Sequence, residues 1–186
     1  MTKSNIGLIG LGTMGAMLAL NIAEKGFGIS VFNRTTATMK TFFDNAGELA
    51  DKITPCETLE ALITTIEKPR AIILMVPAGA AVDEQIAALR LLLDADDMII
   101  DAGNANFNDT NRRASEAAAA GVPFLGIGVS GGEEGARHGP SIMGGGPEDS
   151  WNRVAHILTA ISAKYDGSSC ATWMGAGGAG HFVKTV

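Results

Sequence analysis

The segment Gly10-Leu11-Gly12-Thr13-Met14-Gly15 follows directly on the apolar run Ile6–Ile9. That order restricts the fold more than any other feature of the chain. The apolar run reads as a strand and Met14 to Glu24 as a helix, so the glycines must turn one into the other. The first permits a tight turn. The second lets a pyrophosphate approach the backbone with no Cβ in the way, and the third lets helix and strand pack closely. The N–H groups at the start of such a helix face the phosphates. Gly10, Leu11, Gly12, Thr13, Met14 and Gly15 are therefore candidate dinucleotide-binding residues.

The same alternation continues downstream. Ile29–Phe32, Ala71–Val76, Met98–Asp101 and Pro123–Val129 are apolar, strand-like runs. Thr36–Asp44, Thr58–Ile66, Ala80–Leu93 and Thr110–Ala120 show helical spacing between them. Near-continuous apolar strands alternating with helices predict an α/β fold of the Rossmann, doubly wound type, with a mainly parallel sheet and helices on both faces. After Gly128 the texture changes to a small extension. Glycine-rich stretches flank Ser141–Met143, and a helix is expected from Pro147 to about Ala163. Gly175–Gly180 leads into His181-Phe182-Val183-Lys184-Thr185-Val186, which reads as the start of a helix cut short. The expected division is a dinucleotide-binding domain over 1–176 and the beginning of an all-helical domain over 177–186.

Hydrophobic residues form 46% of the chain, enough for a sizeable core, and the net charge of −6 argues against nucleic-acid or anionic-membrane partners. No apolar run approaches the roughly 18–20 residues of a membrane span. The chain moves directly into its first strand, so no signal peptide is expected. Cys56 and Cys170 are too few and too far apart for a disulfide framework, and are expected as free thiols in a reducing cytoplasm. His138 and His156 show no metal spacing, so no metal is expected.

The second strand ends in Asn33-Arg34-Thr35, where an NAD-selective unit places a carboxylate. A carboxylate repels a 2′-phosphate, whereas a guanidinium binds it bidentately, so the expected cofactor is NADP. Thr35 also suits a helix N-cap. Ligands of open α/β sheets bind beyond the carboxyl ends of the strands. Met75, Val76 and Pro77 fall there, expected beside the nicotinamide ribose. Asn104 falls there too, where cofactor and substrate would meet, while Asp101 is expected to hold the turn. Arg112 and Arg113 are expected on a helix surface. Ser130, Gly131 and Gly132 offer a hydroxyl and open N–H groups, a nest for a carboxylate or phosphate. Glu133 and Glu134 are expected as solvated loop carboxylates. Lys184 lies on an apolar helical stretch, where lost hydration would make it a usable base. His181 is expected to be structural.

These residues together resemble a known family. Gly10–Gly15, Asn33-Arg34-Thr35, Ile99–Asn104, Asp109–Arg113, Gly128-Val129-Ser130-Gly131-Gly132-Glu133-Glu134-Gly135-Ala136, Gly139–Met143 and Gly180–Lys184 occur in the order found in the 6-phosphogluconate dehydrogenase family. The Gly128–Gly135 stretch is the most specific, because 3-hydroxyisobutyrate dehydrogenases share it only around Ser-Gly-Gly. The resemblance implies oxidative decarboxylation of 6-phosphogluconate to ribulose 5-phosphate with reduction of NADP, in the pentose phosphate pathway and gluconate utilisation. It implies Lys184 as general base, and Asn104, Ser130, Gly131, Gly132 and Lys184 as substrate contacts. It gives the cofactor Gly10–Gly15, Asn33–Thr35, Met75–Pro77 and Asn104. It also implies a homodimer formed through a helical domain beyond this chain, which would supply the general acid, so the chain alone is expected to bind NADP with negligible turnover.

Three positions depart from the family pattern. Pro77 stands where a lysine is usual, Ala102 where a glycine is usual, and Met17 where an asparagine is common. A β-hydroxyacid dehydrogenase of the 3-hydroxyisobutyrate type and a non-catalytic NADP-sensing module remain as alternative readings.

Overall fold

The computed structural model describes residues 3–186. The chain runs β1 (Ile6–Ile9), α1 (Thr13–Glu24), β2 (Ile29–Phe32), α2 (Thr36–Asp44), β3 (Ile53–Cys56), α3 (Leu59–Thr65), β4 (Ala71–Leu74), α4 (Ala80–Arg90) and β5 (Met98–Asp101). It continues through α5 (Phe107–Ala119), β6 (Phe124–Ser130), α6 (Gly132–His138), β7 (Ser141–Gly145) and α7 (Glu148–Ile161). A short hairpin of β8 (Lys164–Tyr165) and β9 (Ser168–Ser169) precedes β10 (Ala171–Gly175) and α8 (Ala179–Thr185).

The main sheet has the order β10-β7-β6-β5-β4-β1-β2-β3. From β3 to β6 every pairing is parallel; β7 runs antiparallel to β6, and β10 parallel to β7. This is the expected doubly wound α/β architecture. Side chains alternate along the central strands. Ile6, Leu8, Ile73 and Ile100 enter one apolar layer, while Ile9, Ile72, Leu74 and Ile99 enter the other. Burying each such side chain contributes about 1.5–3 kcal/mol, so both faces need their helical cover.

The strand order reverses at β1. The chain lays β2 and β3 on one side of it and then returns to place β4 on the other. Ile9 pairs with Leu74, and Leu74 with Asp101, so the carboxyl ends of β1, β4 and β5 lie level with one another. A crevice at such a reversal is where open α/β sheets hold ligands.

Several elements differ from the sequence reading. β3 and β10 were not expected as strands. Both lie at sheet edges, where Pro55 is tolerated and the burial signal is weak. α5 starts at Phe107 rather than Thr110 because Asn106 caps it, accepting the Asn108 N–H at 2.9 Å. The glycine-rich segment after Ser130 is the helix α6, not a loop, so Glu133 and Glu134 sit exposed in its first turn. Tertiary contacts hold this helix. The buried Asn21 side chain donates to the Ala136 carbonyl at 3.1 Å and to the Ile161 carbonyl at 2.9 Å, and Arg137 pairs with Glu24 at 2.8 Å. Among the described residues no helix is long and apolar enough to cross a membrane, and no cluster of potential metal ligands occurs. Cys56 and Cys170 are free thiols.

Candidate functional site

A cleft of about 250 Å³ opens at the reversal point, lined by Gly10, Gly12, Asn33, Arg34, Thr35, Met75, Val76 and Pro77 among others. Each comes from just beyond the carboxyl end of β1, β2 or β4. The glycines divide the work as their spacing requires. Gly10 has φ +102, and a Cβ there would strike the Met75 carbonyl. A Cβ on Gly15 would overlap the Gly10 carbonyl oxygen. Both glycines serve the fold. Gly12 is different. Its φ of −68 and ψ of −179 suit any residue, and a Cβ there would meet no protein atom within 4 Å. The fold leaves this space beside the first turn of α1, which carries no acidic residue and no side-chain cap. Free N–H groups and a positive helix end facing open space fit a phosphate group.

At the second strand end, Asn33 ties the loop in place. Its Oδ1 accepts the Leu11 N–H at 2.9 Å, and its amide donates to the Thr35 carbonyl at 3.1 Å. The Asn33 side chain therefore shapes the rim. Arg34 is exposed and makes no ion pair among the described residues. Thr35 occupies the N-cap position of α2, but its hydroxyl makes no capping bond and stays free. Ala81, Glu84 and Gln85 of α4 form a wall of the cleft that the sequence reading did not name. Only the tertiary placement of α4 brings them there.

The cleft continues toward β5. Gly103 approaches Val76 closely, since a Cβ on it would lie 3.1 Å from the Val76 carbonyl oxygen. The next residue, Asn104, is exposed and accepts a hydrogen bond from Lys184 Nζ at 2.9 Å, across 80 positions of sequence. Lys184 is half-buried, and burial lowers its pKa below the usual lysine value. α8 reaches this place because glycines let it lie on the sheet. A Cβ on Gly128 would sit 2.7 Å from Lys184 Cβ, and one on Gly126 would sit 3.0 Å from His181 Nδ1. Gly128 lies two residues before Ser130 on β6, so the Ser130-Gly131-Gly132 segment leaves the sheet beside the lysine-bearing helix.

Arg113 corrects the sequence reading. It is 1% exposed, not on the helix surface. Its Nε donates to Asp83 at 2.8 Å, Nη2 donates to the Gly79 carbonyl at 3.0 Å, and Nη1 lies 3.5 Å from Asp101. α5 turns this face toward the start of α4 and the end of β5, a packing that a mostly polar helix does not reveal. Arg112 remains at the surface, bridging Asp83 and Glu116 at 3.0 Å each. Hydrogen bonding from Arg113 is the main reason the Asp83 carboxyl is held down to about 2. Asp101 is fully buried and accepts the Gly103 N–H at 3.1 Å, holding the Asn104 turn as expected. Burial pushes its pKa up. His181 is buried on α8, and burial pushes its pKa down.

The family model described as the NAD binding domain of 6-phosphogluconate dehydrogenase matches residues 5–175. The chain belongs to that family. The decarboxylating 6-phosphogluconate dehydrogenase of Drosophila melanogaster is 50% identical over 184 residues, covering 99% of this chain and 38% of the relative. The Plasmodium falciparum 6-phosphogluconate dehydrogenase, solved as apo form and with NADP⁺ and 6-phosphogluconate, superposes with a TM-score of 0.93 at 42% identity. That match covers 97% of this chain and 38% of the other. The chain thus spans about 38% of the length of these 6-phosphogluconate dehydrogenases. A 3-hydroxyisobutyrate dehydrogenase of Mycobacterium tuberculosis matches at TM-score 0.80 and 23% identity, over 98% of this chain and 58% of that one. At that identity the likeness is one of fold alone.

Proposed function

We propose that this chain is the NADP-binding part of a decarboxylating 6-phosphogluconate dehydrogenase. The observation that carries the proposal is the hydrogen bond from Lys184 to Asn104, set beside a cleft whose Gly12 wall is bare of side chain. Gly10–Gly15 would hold the pyrophosphate, Arg34 and Thr35 the 2′-phosphate, and Met75–Pro77 the segment nearer the nicotinamide. Pro77 brings neither charge nor N–H, so it contributes shape only. Bound NADP⁺ would supply the hydride acceptor.

The chain's own residues handle the proton. In its neutral form the Lys184 amine would donate one N–H to Asn104 and keep its lone pair free. Burial favours that neutral form. The lone pair would take the proton from the C3 hydroxyl as that carbon is oxidised. The resulting 3-keto acid loses CO₂ because its ketone accepts the electron pair, so no metal is required. Asn104, Ser130 and the N–H groups of Gly131 and Gly132 would hold the substrate. Such an enzyme would be a cytoplasmic homodimer acting on a small metabolite, without nucleic-acid or membrane partners, and residues 177–186 would begin its next domain. A sensor needs no base, and Lys184 held on Asn104 favours the enzyme.

Calorimetric titration tests the cofactor assignment. The chain is expected to bind NADP⁺ at least about tenfold more tightly than NAD⁺. Arg34→Asp should remove that preference, because a carboxylate repels the 2′-phosphate and suits a ribose hydroxyl. Equal affinity for both cofactors in the unaltered chain would sink the assignment. Turnover is tested in a chimera in which this chain replaces the matching part of the Drosophila relative. There Lys184→Met should cut the rate about 10²- to 10⁴-fold, the range of a lost general base, with NADP⁺ affinity unchanged. Retained turnover would remove Lys184 from the mechanism.

A further inference from the structure

Beneath the Lys184–Asn104 pair lies a buried polar cluster that the proposed reaction does not use. It comprises Asp101, Thr110, Arg113 and His181, all at most 1% exposed. His181 is three residues before Lys184 on α8, so both project toward the same side of the helix. Its Nδ1 lies 2.8 Å from Thr110 Oγ1 on α5. The Thr110 hydroxyl is also 3.2 Å from the Asn106 carbonyl, to which its single proton is directed. With that proton on Asn106, the hydroxyl oxygen is open to accept from His181 Nδ1 in the tautomer that carries the ring proton there. Asp101 Oδ2, Arg113 Nη1 and His181 Nε2 make no hydrogen bond among the described residues. Gly126 is bare of side chain where the imidazole sits.

The cluster joins the two elements that must meet in the site. Asp101 holds the turn that presents Asn104, and His181 anchors the helix that presents Lys184. α8 has two other ties to α5. Gly178 N–H donates to Asn111 Oδ1 at 2.7 Å, and the rings of Phe107 and Phe182 meet edge to face at 5.2 Å. Both involve residues before or outward of the lysine face. His181 is the anchor on the inner side, against β6 and the Asn104 turn.

Resting on the function proposed above, we infer that His181 is a positioning residue for Lys184. Its bond to Thr110 sets the rotation of α8 and so keeps the Lys184 amine on Asn104. A histidine suits this role in a specific way. Thr110, Asp101 and the backbone of Gly103 and Ile127 face the ring, Arg113 lies 3.5 Å from Asp101, and Lys184 shares the helix of His181. A neutral imidazole bonds to Thr110 without placing a positive charge under the lysine amine.

Competitive acetylation of the chain, read lysine by lysine from peptide masses between pH 7 and 11, tests this without any cofactor. Thr110→Val keeps the side-chain shape and removes only the hydroxyl, while His181→Leu removes the ring nitrogens. In both, the released amine is expected to hydrate, and Lys184 acetylation at pH 8 should fall about threefold or more relative to the exposed lysines. His181→Asn keeps a nitrogen near the Nδ1 position and should hold the rate within about twofold of the unaltered chain. A purely structural histidine would lower stability and leave the ratio unchanged. An unchanged ratio in folded Thr110→Val overturns the inference. So does unfolding of both Thr110→Val and His181→Leu, since the cluster would then hold the domain rather than the lysine. NADP⁺ titration of the same samples should show affinity retained. Failure of the unaltered chain to bind NADP⁺ would defeat the proposed function and still leave the acetylation comparison to decide on His181.

Discussion

Gly12→Ala is expected to weaken NADP⁺ binding by about 10- to 100-fold while leaving the fold intact, a loss of roughly 1.4–2.8 kcal/mol. The position separates a structural glycine from one kept open for a ligand. Its backbone angles are ordinary, and a methyl group there meets nothing in the protein. Alanine narrows the unfolded ensemble, which stabilises by about 0.4–1 kcal/mol, but it is a poorer N-cap than glycine. The two effects offset, so thermal stability should stay within about 1 kcal/mol of the unaltered chain. The added methyl projects into the space where the phosphates would approach the first turn of α1. Gly15→Ala provides the contrast. Its methyl would overlap the Gly10 carbonyl, so both stability and binding should fall. Calorimetric titration and thermal unfolding of both variants decide the matter. Wild-type affinity in Gly12→Ala would show that the bare wall is not the phosphate site.

Arg113→Met is expected to destabilise the fold by about 3–5 kcal/mol at pH 7, the usual cost of removing one partner from a buried charge pair. Asp101 is fully buried, and with Arg113 gone only the Gly103 N–H still bonds to it. For a chain of this size the loss corresponds to roughly 6–20 °C in melting temperature. The effect should depend on pH with a defined sign. Burial raises the Asp101 pKa in the folded state, so its contribution is present below the unfolded value and is lost as pH rises through the folded value. Removing Arg113 deepens that loss. Asp83 acts in the same sense. Its folded value of about 2 contributes stability above the usual carboxylate range, which disappears as pH falls through about 2, and Arg113 is its largest cause. The gap between variant and unaltered chain should therefore narrow from pH 7 to pH 4 in denaturant titrations. Adding Asp101→Asn to Arg113→Met should recover part of the stability, because it removes the stranded charge. A gap independent of pH, with no recovery in the double variant, would mean that Arg113 acts through packing alone.

Much of the cleft beyond the ends of β1 and β2 was legible in the chain because its signals are local. Gly10, Gly12 and Gly15 act within one strand-turn-helix unit, and Asn33-Arg34-Thr35 lies at the end of the next strand. Near-continuous apolar strands between helical segments define the doubly wound class without long-range information. The spacing already set Gly12, left open for a ligand, apart from Gly10 and Gly15, and the structure adds which atoms close those two, the Met75 and Gly10 carbonyls. Naming those atoms needs the neighbouring strand in place.

Contacts between distant segments belonged to the tertiary structure. Arg113 has the same chemistry as Arg112 beside it, yet one is buried and the other exposed, because α5 packs one face against Asp83 and Asp101. α6 looks like a flexible glycine turn until Asn21 and Glu24 of α1 bind it. Lys184 and Asn104 meet because Gly126 and Gly128 leave room for α8 across β6. The sequence alone determined the fold class and the loops that line the cleft, since periodicity and turn chemistry act over a few residues. Which charges are buried, and which side chains meet across 80 positions, was decided by packing, where burial and pairing energies depend on neighbours far along the chain.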